Sequence, residues 1–179
     1  MLLRSLLVCV IVATAYACVK DTDFDQASDI EATPEIELDL VYFTLTPPQF
    51  TLDTDSGRPI SVRDTTDIRF LDDSFVQDAL KRVEYYFRFS NSIPSEFNAN
   101  VRFLNGDNDV RYQFDIDVAQ GALDTPVITE HIEILATRAQ IRRITESSKV
   151  VVRVTIPEAP QTVEGFLNLQ SKGTYFLEY

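Results

Sequence analysis

This 179-residue sequence has little cysteine, histidine or methionine and no tryptophan: two, one, one and none. Two cysteines cannot build a disulfide framework. One histidine excludes a multi-histidine metal centre. Five glycines and eight prolines are too few for a collagen-like or Pro/Gly-rich disordered chain. Cations are also scarce: 16 Lys and Arg face 28 Asp and Glu, for a formal net charge of −12 and a pI of about 4.4. Phosphate neutralisation needs clustered Lys and Arg, so neither nucleic acid nor an anionic lipid surface is an expected partner. No apolar run reaches the roughly 20 residues that a bilayer-spanning helix needs.

What is present is enough apolar material, 45% of residues, for the core of one domain. The chain opens with one charge, Arg4, followed by Leu6-Leu7-Val8-Cys9-Val10-Ile11-Val12-Ala13 and Thr14-Ala15-Tyr16-Ala17. A cation, a short apolar stretch and small residues at its end form a secretory signal pattern. The abrupt change at Lys20 to Asp21-Thr22-Asp23-Phe24-Asp25 leaves no amphipathic continuation. Two cleavage readings share the bond between Ala17 and Cys18. Ala15-Tyr16-Ala17 fits an ordinary A-x-A site. Ala15-Tyr16-Ala17-Cys18 also resembles a lipobox, with Ala15 where an aliphatic residue is usual.

Cysteine usage favours the second reading. With Cys9 inside the removed segment, Cys18 is the one thiol left, and an exported protein with a free thiol tends to pair between molecules. Acylation of Cys18 removes that thiol, and more than one acyl chain holds a protein stably on a membrane. The following residues, Cys18-Val19-Lys20-Asp21-Thr22-Asp23-Phe24-Asp25, resemble the start of outer-membrane lipoproteins of Bacteroidota-type cell envelopes. The resemblance covers about the first 25 residues, and the rest of the layout is similar to an uncharacterised family of small lipoproteins. It implies outer-membrane residence. Thr22 interrupts the acids of a surface-export signal, so the periplasmic and surface faces both stay open. Removing residues 1–17 takes away one Arg and no acid, which leaves the mature chain still more acidic.

The expected organisation is a lipoprotein signal peptide over 1–17, an acidic flexible tether over 18–34 and a single β-sandwich domain over 35–179. In the domain Ile36, Leu38, Leu40 and Tyr42 alternate with Glu37, Asp39, Val41 and Phe43, the period of a half-buried strand. Pro47-Pro48 ends it, since proline cannot donate to a ladder. Ile60 and Val62, then Ile68 and Phe70, suggest two short strands. Phe75, Val76, Ala79, Leu80 and Val83 keep helical spacing behind a cap expected at Asp72-Asp73-Ser74, with Lys81 and Arg82 at the C-terminal end. Three alternating runs, Val83–Ser90, Phe97–Leu104 and Val110–Val118, joined by Asn/Gly/Asp/Pro turns, predict an antiparallel meander. Further strands are expected at Val127–Leu135 and Val150–Ile156. A short helix is expected at Ala136–Glu146 with Ile141 and Ile144 inward. Pro157 and Pro160 bound a loop, and a closing hairpin turns at Ser171-Lys172-Gly173. The fold class is therefore mainly β: an antiparallel β-sandwich, immunoglobulin-like or Greek key, with one or two short helices. A lipocalin-type barrel is the alternative.

Chemistry-bearing motifs are sparse. His131, in Thr129-Glu130-His131-Ile132-Glu133, could act as a base, but it reads as a surface strand residue alternating with Ile132 and Ile134. Neither G-x-S-x-G nor H-E-x-x-H occurs. Asp115 and Asp117 share a strand face; a glycosidase would need two such groups across a cleft. Asp53-Thr54-Asp55-Ser56-Gly57 and Asp107-Asn108-Asp109 are oxygen-rich turns without the distal Glu of a calcium loop. The acids Asp21, Asp23 and Asp25 read as tether, not metal ligands. The Tyr and Phe residues read as core, with Tyr86 and Tyr179 open to exposure. No catalytic residue, metal or cofactor is expected. The site residues are Cys18 for lipid attachment and Ala17-Cys18 for cleavage. The expected partners are the membrane, through the lipid, and an envelope protein. An envelope glycan hydrolase using Asp/Glu, and a barrel carrying an apolar ligand, are the alternatives.

Overall fold

Alternating side chains build strands here because one face of each can be buried while the ladder satisfies every main-chain group. The computed structural model describes residues 33–46, 60–156 and 164–178. It places eight strands in them: β1 (Glu35–Leu45), β2 (Ile60–Asp67), β3 (Leu80–Asn91), β4 (Phe97–Leu104), β5 (Val110–Val118), β6 (Val127–Leu135), β7 (Lys149–Ile156) and β8 (Leu167–Leu177). A 3₁₀ turn at Arg69–Asp72 and two helices, α1 (Ser74–Ala79) and α2 (Arg138–Thr145), complete the described elements. No helix among the described residues is long and apolar enough to cross a membrane. The signal segment, Cys18, the acidic tether up to residue 32, Pro47-Pro48, the Asp53–Gly57 turn, Pro157, Pro160 and Tyr179 lie outside the described residues.

The strands form two four-stranded antiparallel sheets, in the orders β1-β8-β3-β6 and β2-β7-β4-β5. The expected β-sandwich is thus the architecture, and its connectivity is of the Greek-key kind. Only β4 and β5 are consecutive strands that pair; every other connection between consecutive strands crosses from one sheet to the other. Two interleaved Greek keys of this order make a jelly roll. Each sheet keeps two edges, so the described strands do not close into a barrel.

Three local expectations are corrected. The meander is the first: β3 and β4 face each other across the core instead of pairing, and residues 92–96 carry the chain between sheets. Buried Asn91 makes that crossing possible. Its Nδ2 donates to the carbonyls of Ser95 (2.9 Å) and Ala119 (2.8 Å), and its Oδ1 accepts from the amide of Ile93 (2.9 Å). Gly121 lies against the same crossing, where a Cβ would sit 2.5 Å from the Asn91 carbonyl oxygen.

The second concerns β8, which is one strand and not a hairpin. Ser171 is buried because β1 bulges at Leu40 and Val41 between the Asp39 and Tyr42 pairs. The Ser171 hydroxyl donates to the Val41 carbonyl (2.8 Å) and accepts from the Val41 amide (2.9 Å), replacing the missing rungs. Gly173 leaves room for the Tyr175 ring, whose atoms would lie 3.0–3.1 Å from an added Cβ.

The third is the helix. Asp73 caps it by accepting from the amides of Phe75 and Val76, but it ends at Ala79. Leu80, Lys81, Arg82 and Val83 belong to β3, and Ile68 and Phe70 belong to the 3₁₀ turn and its approach instead of a strand. α2 is as expected. Thr137 and Gln140 form a reciprocal capping box, and Ile141 and Ile144 face inward.

Between the sheets the interior is filled. Tyr85, Phe87, Phe89, Phe103 and Tyr175 are buried, with Tyr85 packed on Phe103 at 4.7 Å and edge-on to Tyr175 at 6.2 Å.

Candidate functional site at the β5 and β6 edges

β6 decides what the β5–β6 side of the sandwich presents. Leu135 is fully buried opposite Val83, and a strand has period two. Glu133, His131 and Thr129 must therefore follow Leu135 toward the inter-sheet side. Ile134, Ile132 and Ile128 must face out. The expectation that His131 points to solvent between inward isoleucines is thus reversed. Ile132 is 58% exposed, Ile134 51% and Ile128 43%, on an edge strand of a protein whose other strands mostly bury their apolar face.

The inward polar row is paired. The His131 ring stacks on Phe114 at 5.4 Å and 23°, and its Nε2 lies 3.3 Å from Oε2 of Glu133. The other Glu133 oxygen accepts from the Tyr112 hydroxyl. Burial, then the bond to Glu133 and its charge, push the Tyr112 phenol up to about 12, against a smaller opposing effect of Gln140 and Arg143 on α2. Thr129 accepts from the Ala119 amide at 3.1 Å. His131 thus has an orienting carboxylate, the base-and-orienter half of a triad. Among the described residues no serine or threonine hydroxyl hydrogen-bonds to it. The arrangement ties β5, β6 and α2 together where the sandwich is open. Tyr112–Glu133 escaped the sequence reading; the signal was the parity of Leu135 with Glu133.

The other candidates are separate from this cluster. Asp115 and Asp117 stand exposed on the outer face of β5, accepting from Asn100 (2.9 Å) and Asn98 (3.1 Å) of β4. They are beside each other on one sheet face and not opposed across a cleft. In the Asp107–Asp109 turn, Asn105 Oδ1 accepts from the amides of Asp107 and Asp109, while Lys149 donates to Asn108 at 2.7 Å. Asn108 takes φ of +70°, which asparagine tolerates. Among the described residues no three His, Cys, Asp or Glu side chains are grouped to hold a metal. Tyr86, on the outer face of β3 opposite Ile132, donates to Glu130 at 2.6 Å. Two open hollows flank these elements. One of about 400 Å³ includes Asn98, Asp117 and Thr129. The other, of about 670 Å³, lies between α1 and α2 and includes Lys81, Arg138, Arg142 and Asp78.

No protein-family model and no curated protein matches this chain. Among solved structures it is similar to infectious bursal disease virus Gx strain, at 10% identity and a TM-score of 0.45, over 82% of this chain and 32% of that one. It is also similar to a protein of Parabacteroides distasonis ATCC 8503, at 10% identity and 0.46, over 65% and 38%. A third is the enzymatically active domain of bacteriophage CBA120 tailspike protein 4, at 9% and 0.37, over 78% and 18%. The chain spans about a third of the length of the first of these structures.

Proposed function

We propose that this chain is a lipid-anchored, non-catalytic module of the outer membrane that binds a protein partner through β6. The outward row Ile128, Ile132 and Ile134 carries the reading. Exposed apolar side chains gathered on one edge strand mark a contact surface more often than chance scatter does. The flat placement of Asp115 and Asp117 and the filled core favour binding over glycan hydrolysis or carriage of an apolar ligand. The anchoring part rests on Cys18 and the segment before it.

The test compares the unaltered chain, Cys18→Ser and Ile132→Lys in membrane fractions treated with an amine-reactive crosslinker. The unaltered chain is expected in the membrane with a larger adduct, Cys18→Ser in the soluble fraction, and Ile132→Lys in the membrane without the adduct. Retention of Cys18→Ser would overturn the anchor, and an adduct indifferent to Ile132 would overturn the β6 contact.

A further inference from the structure

We infer that the occupant of the β6 edge is a second copy of this chain, paired antiparallel through main-chain hydrogen bonds about a two-fold axis at Ile132. This rests on the reading of β6 as the contact surface.

The four edge strands are not equally protected. β1 is bulged at Leu40–Val41 and lined by Glu35, Glu37 and Asp39. β2 carries Arg63, Asp64 and Asp67. β5 carries Arg111, Asp115 and Asp117, and α2 packs against it. β6, Val-Ile-Thr-Glu-His-Ile-Glu-Ile-Leu, has no proline, lysine or arginine, and pairs with β3 over all nine residues without a register shift. Among the described residues no strand pairs with its other side. Bulges, prolines and Lys or Arg side chains stop edge pairing, and β6 has none of these; its two acids, Glu130 and Glu133, are already bonded to Tyr86 and Tyr112 of its own chain.

Charge selects the occupant and the register. With the axis at Ile132, His131 of each copy lies opposite Glu133 of the other, Glu130 lies opposite Ile134, and Ile132 meets its own counterpart. No like charges face each other. An axis at Glu133 would oppose two carboxylates, and an axis at His131 would oppose two imidazoles, both less favourable. A two-fold axis normal to the sheet keeps inner faces on one side, so the four-stranded sheet becomes eight-stranded with its core faces continuous.

The register makes a sharp test. In the full chain carrying Cys9→Ser and Cys18→Ser, Ile128→Cys, Ile132→Cys and Ile134→Cys are each introduced alone and oxidised. Ile132→Cys is expected to give a disulfide dimer, since directly opposed residues lie about 4.5–5.5 Å apart. Ile128→Cys and Ile134→Cys are expected to stay monomeric on a non-reducing gel, their counterparts being several residues away. Sedimentation of the Cys9→Ser, Cys18→Ser chain itself reads the equilibrium. Two copies of net charge near −12 repel at long range, so dimerisation is expected to tighten several-fold as salt rises from about 0.01 M to 0.15 M. A monomeric chain with no Ile132→Cys dimer, alongside an Ile132-dependent membrane adduct, overturns self-pairing and leaves the β6 contact standing. A monomer with no such adduct overturns both.

Discussion

Replacing Asn91 removes a buried side chain that helps the chain cross between the sheets at β3. The residue is fully buried, and its amide satisfies three main-chain groups: the Ile93 N–H and the carbonyls of Ser95 and Ala119. In Asn91→Ala all three lose that partner. A buried group left unpaired costs about 1–3 kcal/mol. The Ala119 bond is only part-buried and can be replaced in part by water. The expected loss is therefore roughly 3–5 kcal/mol, a large share of the about 5–15 kcal/mol that holds a typical domain. Urea denaturation of the variant and the unaltered chain reads the difference, with the slope checked for equality.

Asn91→Asp separates hydrogen bonding from volume. Its carboxylate can still accept from Ile93 but points oxygen at two carbonyls. Burial and those carbonyls raise its folded pKa above the unfolded value of about 3.9. Stability of this variant is then greatest below that unfolded value and is lost as pH rises through the folded one. A loss under about 1 kcal/mol in Asn91→Ala, against the cost cited above, would refute the reasoning. So would an Asn91→Asp midpoint that is flat from acid to neutral pH.

Ser171→Ala should leave the Val41 amide and carbonyl unpaired at the β1 bulge. The expected cost is about 2 kcal/mol, with faster hydrogen exchange at Val41; unchanged protection of that amide would contradict the role assigned to the hydroxyl. Alkaline unfolding should follow the buried phenols. Burial raises Tyr85 well above its ordinary value, and Tyr175 and Tyr112 to about 12. Their folded pKa values exceed the unfolded value of about 10, so their contribution is intact below that pH and lost as pH climbs toward 12. Tyrosinate absorbance should therefore show a late group of phenols whose ionisation coincides with loss of structure; a single early transition for all tyrosines would refute it.

Much of the fold was legible because strand burial is a local, period-two property. β3 and β4 alternate buried and half-buried residues almost throughout, as Val83–Phe89 and Phe97–Phe103 suggest. The helix α2 was equally readable, since Ile141 and Ile144 keep helical spacing and both are buried. Pairing was not, because it depends on groups distant in sequence. Gly173 has the composition of a turn, yet it lies mid-strand, where space for Tyr175 requires it. Ser171 has the same composition, yet it repairs a bulge in a strand 130 residues earlier.

β6 marks the limit most clearly. Thr129-Glu130-His131-Ile132-Glu133 alternates whichever face is buried, and apolarity alone favours the isoleucines inside. Composition, the acidic balance and the strand-rich character followed from residues and their neighbours, because they depend on local chemistry and period. The jelly-roll order, the reversal of β6 and the exposed isoleucine row were decided only by tertiary structure. Leu135 packs opposite Val83 from across the sheet, and that single long-range register assigns every other side chain on the strand to its face.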